Sequence, residues 1–231
     1  MNSIERDLGV HLASIVRKGF DFAINYCKKE GIDYGYLGIV DGDLTLDNTF
    51  FEKLIREFEK DQKLGIASGG IKLTIGDHIV HVRGLPVDEP SGGDMLIRRE
   101  SYDDCGGISL SFAFDSVLKA KARLRGWKTK RFEENIATEI RDVSSAEGYW
   151  EGYAHNGKAA HYLNLHPFHI IAKSVILSFR RPYYIGIAYL VGYLDSILSR
   201  EKQIDDEEIK NYFRNKWKSI YKQRLFRGKH R

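Results

Sequence analysis

The sequence predicts an α/β fold followed by an all-helical region, and three observations carry that prediction. Strand-like and helix-like apolar patterns alternate from Val10 to Phe132, the grammar of an α/β sheet. An apolar strand over 34–40 runs straight into Asp41-Gly42-Asp43, an acidic turn at the carboxyl end of a strand, where open α/β folds bind ligands. Beyond about Ser145 turn signals thin out, long apolar and aromatic residues become dense, and only helices are evident. The predicted division is therefore 1–145 and 146–231.

Taken in order, residues 10–29 carry Leu12, Ile15, Val16, Phe20, Ala23 and Cys27 at helical spacing, with Gly31 as the stop. The acidic strand is next, then a helix from about Asn48 to Lys60 with Phe50, Phe51, Leu54, Ile55 and Phe58 on one face. Residues 64–68 form a short apolar run ending at Gly69-Gly70, and 71–82 reads as a hairpin around Gly76-Asp77. Met95-Leu96-Ile97 is a short buried strand and 98–105 a helical turn closed by Gly106-Gly107. An amphipathic helix over 114–125 stops at Gly126, and 128–132 is a strand. In the second region, 168–179 and 183–198 are apolar helices separated by Arg180-Arg181-Pro182.

Composition narrows the function classes. With 231 residues, 42% hydrophobic, 29% charged and 4 prolines, the chain can bury a core and is not disordered. Cys27 and Cys105 stand far apart in no ligand spacing and read as reduced thiols of a cytoplasmic protein. The first twenty residues carry Glu5, Arg6 and Asp7 and no long apolar core, so no signal peptide is expected. From Lys210 to Arg231 there are nine Lys/Arg and no Asp/Glu, while the rest of the chain carries 27 Lys/Arg against 32 Asp/Glu. That basic tail suits an anionic partner or a solvated helix. The segment 183–198 contains Asp195 and is shorter than the roughly 20 residues of a spanning helix. Interfacial membrane attachment through the C-terminal helices and a soluble helical cap both fit. No nucleic-acid-binding motif is present, so nucleic acid is not an expected partner.

The acidic turn has two readings. Two carboxylates one residue apart repel unless a cation lies between them, and Mg²⁺ or Mn²⁺ takes oxygen ligands. Asp-Gly-Asp is also ordinary turn chemistry. His155, His161, His166 and His169 are spaced by six, five and three, which does not make the i, i+4 face of a zinc helix.

The segments downstream of the turn carry a resemblance. Leu64-Gly65-Ile66-Ala67-Ser68-Gly69-Gly70, then Gly92-Gly93-Asp94-Met95-Leu96-Ile97-Arg98-Arg99-Glu100, then Cys105-Gly106-Gly107 occur in the order seen in family-2 glycosyltransferases. Phe114-Asp115-Ser116-Val117-Leu118, ending in Arg123-Leu124-Arg125-Gly126-Trp127, resembles that family's acidic motif and the helix after it. Residues 157–167 resemble a prokaryotic branch that builds surface polysaccharides. The similarity rests on the ordered set of motifs from about Phe20 onward.

The resemblance implies a GT-A-like (Rossmann-like) mixed sheet and an inverting, metal-dependent transfer of a sugar from a nucleotide-diphosphate donor to a saccharide or lipid-linked acceptor. It implies that Asp41 and Asp43 lie beside a Mn²⁺ or Mg²⁺ ion and the donor, and that Asp115 is the general base. A carboxylate at a helix start is equally an ordinary cap. Gly92, Gly93 and Asp94 are candidate substrate-binding residues, the glycines because backbone there can approach a ligand closely. Trp127 is a candidate stacking face or a core residue.

Three departures qualify the likeness. Only forty residues precede Asp41, so the expectation is an N-terminally truncated sheet that lacks the strand holding the nucleotide base, with weak or no donor binding by this chain. The acidic pair is Phe114-Asp115 rather than Glu-Asp. Glu139 stands where the family commonly has a His, as a metal ligand or an exposed strand-end residue. The expectation is a glycosyltransferase at the cytoplasmic membrane face; the alternative is a non-catalytic remnant or partner subunit that keeps only the acceptor half.

Overall fold

The computed structural model describes residues 9–75, 78–81, 86–139 and 148–227, with side-chain surroundings described over 9–73, 86–139 and 148–218. The chain divides into two compact units, Met1–Asp142 and Val143–Arg231. The Gly76-Asp77 turn, Val82, the expected boundary near Ser145 and the last basic side chains lie outside the described residues.

The first unit is mixed α/β. Its elements are α1 (Val10–Glu30), β1 (Tyr36–Gly38), β2 (Leu44–Leu46), α2 (Phe50–Lys60), β3 (Leu64–Ile75), β4 (His78–His81), β5 (Leu96–Arg98), α3 (Arg99–Asp104), α4 (Phe114–Leu124) and β6 (Lys128–Glu139). The strands form one sheet in the order β1-β5-β3-β6-β2, with β4 paired to β3. β3 and β6 are parallel and every other pairing is antiparallel. β1, β3 and β6 consequently all run the same way.

Alternation along the strands sends side chains to two cores. Ile66 and Ile97 join Leu37, Met95, Phe20 of α1, Tyr102 of α3 and Leu118 of α4 on one face. Ala67 and Leu96 join Phe50, Leu54 and Phe58 of α2 on the other. The α2 set is the i, i+4, i+8 stripe of the predicted helix. α1 ends as expected at Gly31, whose φ of 66° is left-handed and costs glycine little.

Three elements differ from expectation. β3 does not stop at Gly69-Gly70 but continues to Ile75, and β6 continues past Phe132 to Glu139. The pairing jumps from Gly69↔Phe132 to Gly70↔Ile136, so β6 bulges over the glycine pair. A Cβ on Gly69 would lie 2.2 Å from the Asn135 carbonyl, and one on Gly70 2.4 Å from that of Glu133. The two glycines thus admit the bulge rather than end the strand. β2 is a short edge strand inside the stretch read only as a turn.

The second unit is helical: α5 (Tyr149–Tyr162), α6 (Pro167–Ser178), α7 (Ile185–Leu198) and α8 (Glu207–Arg227). Arg180-Arg181-Pro182 lies in the break between α6 and α7, as the sequence suggests. α5, α6 and α7 pack through small residues. A Cβ on Gly157 would sit 2.1 Å from the Tyr189 carbonyl, on Gly192 2.0 Å from that of Ala154, and on Gly186 2.1 Å from that of Ser174. His161 is buried with its ring 5.9 Å from that of Tyr193, and the His166 side chain caps α6 by accepting from the Phe168 N–H. No described helix is long and apolar enough to cross a membrane.

Candidate functional site

The acidic loop is set by pairing that outlasts β1. Ile39 N–H donates to the Met95 carbonyl and Asp41 N–H to the Gly93 carbonyl, both at 2.8 Å. Asp41 therefore lands beside Gly93 at the carboxyl end of β1. A Cβ on Gly93 would lie 2.5 Å from Asp41 Oδ2, so only glycine leaves this carboxylate its place. On the neighbouring residue, a Cβ on Gly92 would meet Asp115 Oδ2 at 3.3 Å. Two carboxylates, from the end of β1 and from α4, thus converge on one Gly-Gly segment.

Asp115 is in the first turn of α4, after Ala113 in the left-handed conformation (φ 56°). Its side chain is 28% exposed and Lys119 Nζ lies 2.8 Å from its Oδ2. Burial opposes its ionisation, but the Lys119 ammonium outweighs burial and holds the carboxyl below its usual range. Lys119 is itself buried, and its Nζ also donates to the Pro90 carbonyl at 3.0 Å.

Cationic side chains strap the whole approach to Gly92. Arg123 donates to the Asp88 carbonyl and pairs with Glu89 at 2.9 Å. Arg131 Nη2 donates to the Glu89 carbonyl at 2.5 Å, and Thr129 Oγ1 to that of Asp88 at 2.6 Å. Three consecutive carbonyls, of Asp88, Glu89 and Pro90, each face a cation. Asp115, Lys119 and Arg123 are spaced i, i+4, i+8, so one face of α4 supplies the carboxylate and two of the straps. Sequence reasoning missed Lys119, Arg123 and Arg131, although the four-residue spacing on α4 was a visible signal.

The remaining candidates divide. Asp43 is half-buried one residue before Leu44, which pairs with Glu139 at the end of β6, so these acids share the Asp41 end of the sheet. Asp94 is 0% exposed and accepts from the Gly69 N–H at 2.8 Å, bracing the loop against β3 where β6 bulges over it. Burial pushes its carboxyl up to about 6. Trp127 precedes β6 at the opposite sheet end, about six strand residues or on the order of 20 Å from the acidic loop. Its indole N–H donates to Asp104 Oδ2 at 2.8 Å and its ring packs on the core. Asp94 and Trp127 thus stand apart from the converging pair, one by burial and one by distance. Burial also pushes the Cys105 thiol up to about 11, which leaves it unreactive.

Among the described residues no group of three His, Cys, Asp or Glu is disposed to hold a metal ion. Asp41 and Asp43 offer instead two hard oxygen donors on an open loop. Carboxylate oxygens are ligands that hard divalent ions such as Mg²⁺ or Mn²⁺ accept. A comparison with protein-family models finds none that matches the chain, and a comparison with curated proteins likewise finds no match.

Proposed function

We propose that this chain is an inverting, metal-dependent glycosyltransferase with a GT-A-like sheet, moving a sugar from a nucleotide-diphosphate donor to a hydroxyl of a saccharide or lipid-linked acceptor. The observation that carries this reading is the convergence of Asp41 and Asp115 on Gly92-Gly93 at the carboxyl end of β1. Asp41 and Asp43 are the residues to hold Mg²⁺ or Mn²⁺, without Glu139, since no three acids among the described residues are disposed to hold an ion. Bound there, the ion would supply positive charge to the departing diphosphate.

Asp115 takes the proton of the acceptor hydroxyl. The freed oxygen bonds to the anomeric carbon from the face opposite the diphosphate, and the bond to diphosphate breaks with its electron pair leaving on the diphosphate. Lys119 keeps Asp115 ionised and aimed at Gly92. A base held below the usual carboxylate range accepts the proton as the new bond forms, when the hydroxyl has become acidic.

The test is calorimetry with a panel of nucleotide-diphosphate sugars in Mn²⁺, followed by transfer assays. Binding should require both the metal and Asp43, and Asp115→Asn should bind donor without transferring it. Donor binding that ignores Mn²⁺ and survives Asp43→Ala would remove the ion site, and normal turnover by Asp115→Asn would remove the base. Unchanged metal affinity in Glu139→Ala would leave the ion to the two aspartates.

One observation favours a second reading, a non-catalytic chain that works with another polypeptide. β1, which leads into the acidic loop, is an edge strand, and antiparallel alternation turns the Tyr36 and Gly38 backbone groups away from β5. A folded chain that binds no nucleotide sugar would favour this reading.

A further inference from the structure

The helices α6 and α7 are apolar on both their inward and their outward faces. Inward they bury Ile170, Leu177, Ile185, Tyr189 and Tyr193 beside the small Ser174, Gly186, Ala188, Gly192 and Ser196, and a second set of large apolar side chains points outward. On α6 and just past its end, Ile171, Val175 and Phe179 recur at four-residue steps; on α7, Ile187, Leu194 and Leu198 share one face by their 100° increments. All six are 46–82% exposed. Water-facing helices normally bury that stripe, because removing it from water is the main stabilising term. A helix that is apolar all round belongs in surroundings that are themselves apolar.

The two stripes lead to the corner between the helices. Phe179 is 81% exposed there, Tyr183 and Tyr184 are exposed, and Trp150 lies 6.2 Å from Tyr184. Arg180 and Arg181 stand exposed in the same corner. From Gly152 to Leu194 the chain contains no Asp or Glu, against Lys158, Lys173, Arg180 and Arg181. Apolar stripes, ring side chains with polar tips and exposed cations together match the three layers of an anionic bilayer's surface: acyl chain, interface and phosphate.

We propose that the α6–α7 corner docks into the surface of an anionic lipid bilayer, with Phe179 and the two stripes entering the acyl boundary and Arg180 and Arg181 meeting lipid phosphates. The helices lie in the interface and do not span it. A second copy of this chain fits the corner poorly. A two-fold interface brings the same patch together, and would set Arg180 and Arg181 of one copy against those of the other.

Docking of this corner is independent of the transfer reaction, and its test uses no nucleotide or sugar. The full chain is floated with vesicles of 30% phosphatidylglycerol in phosphatidylcholine and with phosphatidylcholine alone. Binding should be at least tenfold tighter on the anionic vesicles. Arg180→Glu/Arg181→Glu should weaken it at least tenfold, from roughly fivefold per cationic side chain. Phe179→Ser/Leu198→Ser should do the same, with the circular dichroism of both variants unchanged. On the unmutated protein, brominated phosphatidylglycerol should quench tryptophan emission, and Trp150→Phe should lose most of that quenching. Absence of binding by the wild type would overturn the proposal. So would anionic binding indifferent to both double variants, which would assign it to the basic α8. A dimer dissolved by Phe179→Ser/Leu198→Ser without vesicle binding would show a second copy on the corner instead.

Discussion

Lys119 Nζ lies 2.8 Å from Asp115 Oδ2 and 3.0 Å from the Pro90 carbonyl, so one buried ammonium ties the α4 carboxylate to the loop that leads to Gly92. The bond within α4 sets the direction of the carboxylate, and the bond to Pro90 sets the height of the loop beneath it. The placement of Asp115 against Gly92 rests on both, whereas Asp41 is set beside Gly93 by the backbone pairing that continues β1.

Replacing Lys119 by Met should release Asp115 from the charge that offsets its burial. The carboxyl then rises above its wild-type position, and the acid limb of kcat/KM moves to higher pH. A group held low in the folded state adds stability above its unfolded pKa and loses it as pH falls through the folded value. The variant should therefore be less stable at pH 7, by about 2 kcal/mol rather than the roughly 3–5 of a fully buried broken pair, because Asp115 keeps some solvent. Urea melts at pH 7 and pH 4 should show that deficit shrink as the unpaired carboxyl protonates. An equal deficit at both values would mean that packing, not charge, was lost.

Asp94 has the opposite sign. Burial raises its carboxyl from 3.8 to about 6. Stability present below pH 4 is lost as pH rises through 6, by about 3 kcal/mol at most. Asp94→Asn keeps an acceptor for the Gly69 N–H and removes the ionisation. It should match wild type near pH 4 and exceed it at pH 8 by about 1–3 kcal/mol, read from thermal melts. A variant less stable at pH 8 would show that attraction between the Asp94 carboxylate and the Arg131 guanidinium outweighs the cost of burying the charge.

Two glycine substitutions should separate binding from folding. In Gly93→Ala the new methyl meets the Asp41 carboxylate, the far end of an exposed side chain that can swing away. Stability should change by less than about 1 kcal/mol, while Mn²⁺ affinity falls at least tenfold. In Gly69→Ala the methyl meets the Asn135 carbonyl and the Phe50 ring, at 2.2 and 2.5 Å. That sheet cannot yield cheaply, and the loss should reach about 3 kcal/mol. Reversed results would mean that the acidic loop is rigid and the bulge is soft.

The helical unit offers a simpler test. Gly192→Ala places a methyl 2.0 Å from the Ala154 carbonyl, so α5 and α7 must separate. Although alanine is the better helix former by about 1 kcal/mol, the chain should lose about 2 kcal/mol or more. A gain in melting temperature would show that the two helices are not held at that approach.

Much of the fold was legible locally. The α1 and α2 stripes, the Gly31 stop, the acidic strand end and the break at Arg180-Arg181-Pro182 are readable because each rests on neighbours within a turn or two. The length of β3 was not, because Gly69-Gly70 has the composition of a stop and becomes strand only when a bulge of β6, more than sixty residues later, needs room above it. The site was legible in the same uneven way. Asp41, Asp43 and Asp115 stood out by type and position, whereas Lys119 is an ordinary helix residue until Pro90 is folded against it.

By itself, then, the sequence determined most of the helices, the strand that runs into Asp41 and which carboxylates sit at element ends, since periodicity and turn chemistry are written within a few residues. Only the tertiary structure decided that Asp41 and Asp115 share one Gly-Gly segment, that Asp94 is a buried brace, and that Trp127 stands at the far end of the sheet. It also decided which apolar face of α6 and of α7 points outward, because a stripe of apolar residues has no inside until a neighbour packs against it.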